Sequence, residues 1–235
     1  MASKPRQYYE LRWFSLRNGA HAPRMTPLLE AWQAAATRAG TGPVGIFQPV
    51  IGEQGPSTLL LSTFSSAEAA AGSFDRLMAD DAFAAAYKKA VAPEPPFTRM
   101  ESSLLRAFAG FPEIRPPKKS ANGTPHIFEL RTYESDTMTS LRTKLEMFNS
   151  GEIGVFDRLG MQPVFFGESV FGRNQPSLTY MLAYDDLIAR ERLWKSFIAD
   201  EEFTKLRNKP GYSDAEIVST ISSAILRPAA SSTIR

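Results

Sequence analysis

Two segments of the chain carry the same charged pair, and these pairs are the side chains best suited to chemistry. The first segment reads Tyr9-Glu10-Leu11-Arg12 and the second reads Phe128-Glu129-Leu130-Arg131. Arginine holds carboxylates and other oxygen anions through a planar fork of N–H donors. The two pairs therefore indicate polar anchors for an anionic or carbonyl-bearing ligand.

Both segments alternate like strands, so each has two faces. If Leu11 and Leu130 pack against helices, the charged faces point into the interior of the folded unit. Charges there need partners, because an unpaired buried charge is costly. The alternative is that each arginine pairs with a glutamate across a pseudo-twofold axis and fixes how two halves dock. The residues on the charged faces are the predicted ligand-binding set: Glu10, Arg12, Phe14, Glu129, Arg131 and Tyr133.

Two further side chains are candidates for proton transfer. Tyr133 supplies a phenolic donor near Arg131, and His21 lies in the loop after the first strand, where it could act as a general base. The sequence has no cysteine, and its two histidines, His21 and His126, do not occupy equivalent places. We therefore expect no metal site and no bound cofactor.

Acidic residues cluster at Asp80-Asp81 and at Asp200-Glu201-Glu202. A glycosidase would need carboxylates that oppose each other across a cleft, and no feature of the sequence indicates one. Aspartate is a good N-cap, and acidic side chains stabilise a helix N-terminus. We interpret both clusters as helix starts that Phe83 and Phe203 anchor to the core.

The whole chain repeats itself. The two charged pairs lie 119 residues apart, and further along the offset becomes 120, as between Gly40 and Gly160. One inserted residue reconciles the two offsets. A spacing kept from start to end indicates a tandem duplication.

Each half predicts the same order of elements. In the first half we expect strands over 7–15, 44–51, 58–64 and 98–108 and helices over 23–39, 66–79 and 80–89. In the second half we expect strands over 127–133, 163–171, 178–184 and 215–226 and helices over 137–159, 187–198 and 201–207. The order βαββαβ is that of the ferredoxin-like unit, whose sheet carries helices on one face. Two such units can cover each other's bare faces, so the predicted fold class is α+β.

The predicted domains are residues 7–108 and residues 126–227, called here the first half and the second half. Residues 109–125 are rich in proline and lack periodicity, which indicates a linker. Residues 228–235 are small and polar, and we expect them to fray.

Composition excludes several classes of protein. The chain has 235 residues, with 27 basic and 25 acidic side chains. This near balance, without a basic stripe, argues against a nucleic-acid partner. No window approaches about 18 uninterrupted apolar residues, so no transmembrane segment is predicted. Since no signal segment opens the sequence, we expect a cytoplasmic location, or a periplasmic one if a signal peptide has been removed.

The opening strands, the long first helix that ends in glycine and the acidic piece before Phe203 resemble the NIPSNAP family. The resemblance covers both halves and is better in the second, where Phe128-Glu129-Leu130-Arg131-Thr132-Tyr133 matches the family's opening strand. It implies the dimeric α+β barrel fold, formed here by two tandem ferredoxin-like units, and a homo-oligomer, expected to be a dimer. It implies no settled activity.

Two functions follow as hypotheses. In the first, which the resemblance to these barrels implies, the barrel binds a small hydrophobic or anionic ligand, and the protein acts like a cofactor-free monooxygenase or isomerase. Arg12 or Arg131 would hold an oxyanion while Tyr133 or His21 moves a proton. In the second, the protein is a non-catalytic binding or scaffold module, and its Glu/Arg pairs serve to dock the two halves.

Overall fold

A computed structural model of the chain describes residues 4–17, 19, 22–52, 55–120 and 123–235. The first half contains strands Tyr8–Leu16 (β1), Gly45–Ile51 (β2), Ser57–Phe64 (β3) and Phe97–Ala107 (β4), with helices Ala22–Arg38 (α1), Ala67–Ala71 (α2), Ser73–Met78 (α3) and Asp81–Val91 (α4). The second half contains strands Ile127–Glu134 (β5), Pro163–Phe171 (β6), Ser177–Tyr184 (β7) and Thr220–Pro228 (β8), with helices Met138–Met147 (α5), Ile153–Leu159 (α6), Leu187–Ile198 (α7), Glu201–Arg207 (α8) and Asp214–Ile217 (α9). A π-helical turn, Phe148–Glu152, joins α5 to α6.

The eight strands form one closed antiparallel barrel in the order β1-β3-β2-β8-β5-β7-β6-β4. Within this order the first half contributes β4-β1-β3-β2 and the second half β8-β5-β7-β6, which is the ferredoxin-like arrangement twice. Two antiparallel ladders close the barrel, β2 with β8 and β4 with β6. The predicted fold is confirmed, and both seams lie within a single chain.

The sheet separates two kinds of core. Its inner face is apolar over much of its length, where Tyr9, Leu11, Phe128 and Leu130 pack together. Its outer face is covered by the helices, with one apolar cluster in each half. Two four-stranded sheets that each have helices on one side must bury their other sides against each other, and the barrel does so.

The π-helical turn accounts for the change of offset in the repeat. Met25 and Lys144 are buried on their helices 119 positions apart, as the charged pairs are, whereas Trp32 and Glu152 are buried 120 positions apart. A π turn accommodates one extra residue in a helix and is frequent at functional sites. The inserted residue therefore lies within Phe148–Glu152.

The offset between the two halves changes a second time before the last strand of each half. Arg12 faces Ser102 across the β1–β4 ladder, and Arg131 faces Ser223 across the β5–β8 ladder, so the offset there is 121. The single insertion expected from the sequence is therefore an undercount.

Two predicted elements differ in the structure. The predicted helix over 66–79 is divided into α2 and α3, with Gly72 at the junction. The strand predicted to start at residue 215 starts at Thr220, because residues 214–217 form α9. Ser213 precedes this helix and two of its first residues are acidic, which is helix-start chemistry that the alternation of later residues obscured.

The connecting and terminal segments are more ordered than predicted. Phe111 and Ile114 of the predicted linker are buried, and the N–H of Arg115 donates to Val164. In the tail, Ile234 is buried in the barrel core, and Thr233 exchanges hydrogen bonds with Val44. The expected fraying is therefore wrong: the tail closes one end of the barrel.

Among the residues that the structure describes, no helix is long and apolar enough to cross a membrane.

Candidate functional site

The charged faces of β1 and β5 point toward the helices. Leu11 and Leu130 lie in the barrel core. The Arg12 guanidinium lies over the ring of Trp32 on α1, 4.9 Å from its centroid, and that of Arg131 lies 4.6 Å from the ring of Trp194 on α7. The expectation that the charges face the barrel interior is wrong. The apolar face of each strand fills the space between the sheets, and the polar face finds its partners on the helices.

Glu129 is the most heavily bonded of these charges, and its side chain is fully buried. Its carboxylate accepts hydrogen bonds from Arg190 at 2.6 and 2.9 Å and from the Trp194 indole at 2.8 Å. Arg131 at 2.9 Å, Ser223 at 2.8 Å and Tyr184 at 3.4 Å also donate to it. Burial alone would raise the pKa of Glu129, but the bond from Arg190 and the charge of Arg131 outweigh it. The pKa is therefore lowered and the carboxylate stays ionised.

The Glu/Arg pairs do not dock the halves. Arg12 donates to Glu10 on the same strand at 2.6 Å, and every hydrogen bond that the structure gives to Glu129 comes from the second half. Pairing across the pseudo-twofold axis is ruled out by the outward direction of the charges, which places the barrel wall between them. The seams are joined instead by strand ladders and by Glu168, which binds Arg106 at 2.7 Å and Arg6 at 3.1 Å.

Arg131 also holds two phenols. Its Nε donates to the Tyr180 hydroxyl at 3.0 Å, and a terminal nitrogen donates to the Tyr133 hydroxyl at 3.2 Å. Tyr180 in turn donates to Tyr133 at 3.0 Å. Burial raises the pKa of Tyr180 well above its ordinary value, and the nearby Tyr133 adds to this effect, so Tyr180 stays protonated.

A buried lysine lies beside this network, with its Nζ 5.4 Å from the centroid of the Tyr133 ring. Lys144 of α5 is 1% exposed, and its Nζ lies 3.4 Å from Glu152 and 3.0 Å from Asp214. Burial alone would lower the pKa of Lys144, but the charges of Glu152 and Asp214 raise it. Burial raises the pKa of Glu152, with Lys144 opposing the shift and Asp214 adding to it. The π turn that contains the extra residue follows Lys144 in the sequence and ends at Glu152, so it affects where this carboxyl meets Lys144.

We call Arg131, Tyr133, Lys144, Glu152 and Tyr180 the polar cluster. It combines a fixed cation, two phenolic donors, an ammonium group and a carboxyl whose pKa is raised. Such combinations are typical of sites that stabilise an oxyanion and transfer protons. Asp214, whose side chain is 55% exposed, is where Lys144 meets the surface.

The first half has apolar residues at most of the equivalent positions. Phe14 replaces Tyr133 and Leu60 replaces Tyr180, as the strand ladders show. On the long helix Met25 replaces Lys144 and Trp32 replaces Glu152. Arg12 remains, bonded to Glu10 and to Ser102. The first half thus keeps the charged pair and has Phe14, Leu60, Met25 and Trp32 in place of the rest of the polar cluster.

The sequence-predicted residues therefore separate into two groups. Glu129, Arg131 and Tyr133 meet in one network, whereas Glu10 and Arg12 form a pair of their own in the first half. Phe14 packs in the apolar core under α1. His21 lies outside the described residues.

Three members of the polar cluster were missed from the sequence: Tyr180, Lys144 and Glu152. The repeat contained a signal for them, because each stands where the first half has a large apolar residue. Lysine and glutamate on a predicted buried helix face would have marked the site.

The acidic clusters are helix caps, as predicted. The Asp80 carboxylate accepts from the N–H of Phe83, and the Asp200 carboxylate accepts from the N–H of Phe203. Among the described residues, no group of three or more histidine, aspartate or glutamate side chains could hold a metal ion.

The inside of the barrel contains a cavity of about 160 Å³ at the end where the β2–β3 and β6–β7 turns lie. It is lined by the inward faces of the strands, so the predicted ligand-binding residues do not line it. Its floor is formed by Leu11, Leu105 and Leu130, and its walls carry Trp13 and several serine and threonine hydroxyls.

A closed eight-stranded barrel of two ferredoxin-like halves defines an α+β barrel protein of the dimeric type, built here from one chain. The NIPSNAP family model matches residues 9–110 and 128–233. The chain therefore belongs to the NIPSNAP family, with one family domain in each half.

Two solved structures with TM-scores of 0.62 show the same fold at low identity. A candidate monooxygenase from Lactobacillus acidophilus is 12% identical, with 95% of this chain and 94% of that chain covered and a TM-score of 0.62. One from Fusobacterium nucleatum is 11% identical, with 96% and 93% covered and a TM-score of 0.62. A NIPSNAP family protein of unknown function from Agrobacterium tumefaciens is 17% identical over 47% of this chain and 95% of that chain, with a TM-score of 0.42. No curated protein matches the sequence.

Proposed function

We propose that the second half binds a small hydrophobic molecule with a carbonyl or phenolic oxygen and transfers a proton on it. One observation carries the proposal: the first half builds the same fold with Phe14, Leu60, Met25 and Trp32 where the second half has the polar cluster. The fold itself does not require those polar groups.

The energetics of the buried Lys144–Glu152 pair support a role for it other than stabilising the fold. Taking Lys144 and Glu152 out of water carries a desolvation penalty that their mutual attraction does not reliably exceed. Replacing a buried ion pair with apolar residues of similar volume is often neutral or stabilising. The first half folds with Met25 and Trp32 at these positions. We therefore infer that the second half keeps the Lys144–Glu152 pair for chemistry and not for stability.

The roles follow from the contacts. Arg131 would hold the oxyanion of the ligand with the donors that now reach Tyr133 and Tyr180. Tyr133 would give or take the proton at the ligand carbon, and Glu152 and Lys144 would restore it. Entry is expected beside Asp214, whose carboxylate lies at the surface end of the cluster. The reaction class is proton transfer next to an enolate or phenolate, as in an isomerase or the first step of a cofactor-free oxygenation.

The test uses α-naphthol, a hydrophobic phenol whose ring carbons ortho and para to the hydroxyl exchange hydrogen through the naphtholate. In D₂O the protein should speed deuterium incorporation at those carbons, which NMR measures. Arg131→Met should abolish the acceleration, because the group that holds the oxyanion is removed. The fold should persist, because Glu129 keeps its hydrogen bonds to Arg190 and Trp194. Arg12→Met, the matched change in the first half, should leave it intact.

Other results point elsewhere. Binding of α-naphthol without exchange would favour the non-catalytic binding module. Equal loss of exchange in Arg12→Met and Arg131→Met, or exchange that survives in Arg131→Met, would place the activity outside the polar cluster.

A further inference from the structure

The barrel cavity lies on the opposite side of the sheet from the polar cluster. Its lining comes from strands of both halves, including Trp13 of β1, Ser103 of β4, Thr132 of β5 and Thr179 of β7. Below it the interior is filled by the apolar core, to which its floor residues Leu11, Leu105 and Leu130 also belong. The barrel is therefore packed at one end and hollow at the other.

Hydroxyl pairs line the walls of the hollow end. Thr132 bonds Thr179 at 2.9 Å, and Ser169 bonds Ser177 at 2.7 Å. A hydroxyl has one donor and two acceptor lone pairs, so each pair keeps one donor and several lone pairs for a further partner. Neighbouring pairs can thus both donate to and accept from the hydroxyl groups of a ligand.

The charged side chains of the lining lie at the rim of the cavity. Arg173 and Glu101 are the charged residues of the lining, and they form an ion pair at 3.3 Å. In the described part of the chain, the floor and the hydroxyl-bearing walls below the rim carry no charged side chain, so a charged group held there would lack a counter-ion, which is unfavourable in a partly enclosed site. The lining therefore suits a neutral ligand.

The volume limits the ligand to one ring. A cavity of roughly 150 Å³ lined by hydrocarbon side chains holds a benzene molecule, and the barrel cavity measures about 160 Å³. Its floor and Trp13 offer apolar contact to the faces of such a ring, while the walls offer hydroxyls to its edge. We propose that the barrel cavity binds a neutral six-membered ring that carries hydroxyl groups.

Two sources of that chemistry are distinguished by the probes. D-glucose represents a hydroxylated pyranose and catechol a hydroxylated aromatic ring. Each is titrated into the full chain, with Trp13 fluorescence as the readout and a Trp13→Phe variant to show that the signal comes from the cavity. We expect at least one probe to give a saturable change that Trp13→Phe removes.

The wall hydroxyls are tested by a double variant, Thr132→Val with Thr179→Val, which keeps side-chain volume. It should weaken binding by about tenfold or more, because two hydrogen-bonding groups are lost. The matched control is Thr143→Val on α5, whose hydroxyl donates to Thr139 far from the cavity and should not affect binding. Thermal melting of each variant checks that the fold persists.

The result that overturns the proposal is clear in each arm. No saturable change with either probe, or equal affinity in the double valine variant and the wild type, rejects the site. Tighter binding of glucosamine or glucuronate than of glucose rejects a neutral ligand. Arg131→Met should leave cavity binding unchanged, so this proposal and the proton-transfer proposal fail independently.

Discussion

The two halves of the chain solve the same packing problem differently under their long helices. In the first half Met25 and Trp32 belong to the apolar cluster between α1 and the sheet. In the second half Lys144 and Glu152 occupy the same places as a buried ion pair that borders Tyr133. Since one chain folds with both arrangements, the comparison separates what the fold needs from what has been added to it.

What the halves share is structural. Arg38 binds the capping Asp80 at 2.7 Å, and Arg158 binds the capping Asp200 at 3.0 Å, with 120 positions between each pair of equivalents. Asp80 caps the N-terminus of α4, and Asp200 caps the N-terminus of α8, so the equivalent helix starts in the same way in both halves. The shared contacts hold the helices in place, and the proposed proton transfer rests on the contacts that differ.

The largest expected effect comes from removing the best-connected carboxylate. Glu129→Ala should lower the free energy of unfolding by about 3–5 kcal/mol, because Arg131 and Arg190 lose a buried counter-ion. Glu10→Ala in the first half should cost about 2 kcal/mol, since one charged hydrogen-bond partner is involved. Urea denaturation of both variants measures the difference. Equal losses would mean that Glu129 and Glu10 contribute equally to stability, despite their different numbers of hydrogen bonds.

An intermediate effect, of opposite sign, is expected when the buried ion pair of the second half is replaced by apolar residues. Lys144→Met with Glu152→Leu should raise the free energy of unfolding by about 2 kcal/mol, because the desolvation penalty of the pair disappears at similar volume. Asp214 then loses its partner but stays solvated. The same variant should lose α-naphthol exchange. A large loss of stability would show that the ion pair holds the helix in place after all.

The smallest effect concerns acid. The pKa of Glu129 is lowered from its ordinary value of 4.5, so its stabilisation is complete above that pH and is lost as the pH falls through the folded-state pKa. The wild type should lose stability as the pH falls below the ordinary pKa of a glutamate, and Glu129→Gln should lose less. Denaturation midpoints between pH 6 and pH 3, taken at roughly unit steps, compare the two slopes. Identical slopes would contradict the assignment of Glu129 as an ionised, hydrogen-bonded group.

The fold could be predicted from the sequence because the repeat fixed the order of elements twice. The strand alternation also placed Glu129, Arg131 and Tyr133 on one face. Alternation does not say which face is inside, and here the apolar face fills the barrel. The tail was misread for a similar reason, since a lone Ile234 reaching the core leaves no periodic pattern.

The polar cluster was harder to predict because its members come from distant positions. Lys144 and Glu152 lie on a helix whose register depends on a π turn that ordinary helical spacing does not describe. Tyr180 belongs to a strand whose residues are all buried, so no pattern distinguishes it from its neighbours. Aligning the repeat residue by residue would have identified all three as polar replacements of apolar residues.

Both seams of the barrel lie within one polypeptide, and this has a consequence for how the protein can change. In a barrel made of two identical chains every substitution is introduced twice, so a buried charge that suits one side is imposed on the other. With the two copies in one chain, a replacement at Met25 leaves Lys144 untouched. One copy can then be selected for rigidity and the other for reactivity, which symmetric assembly from a single gene product does not allow.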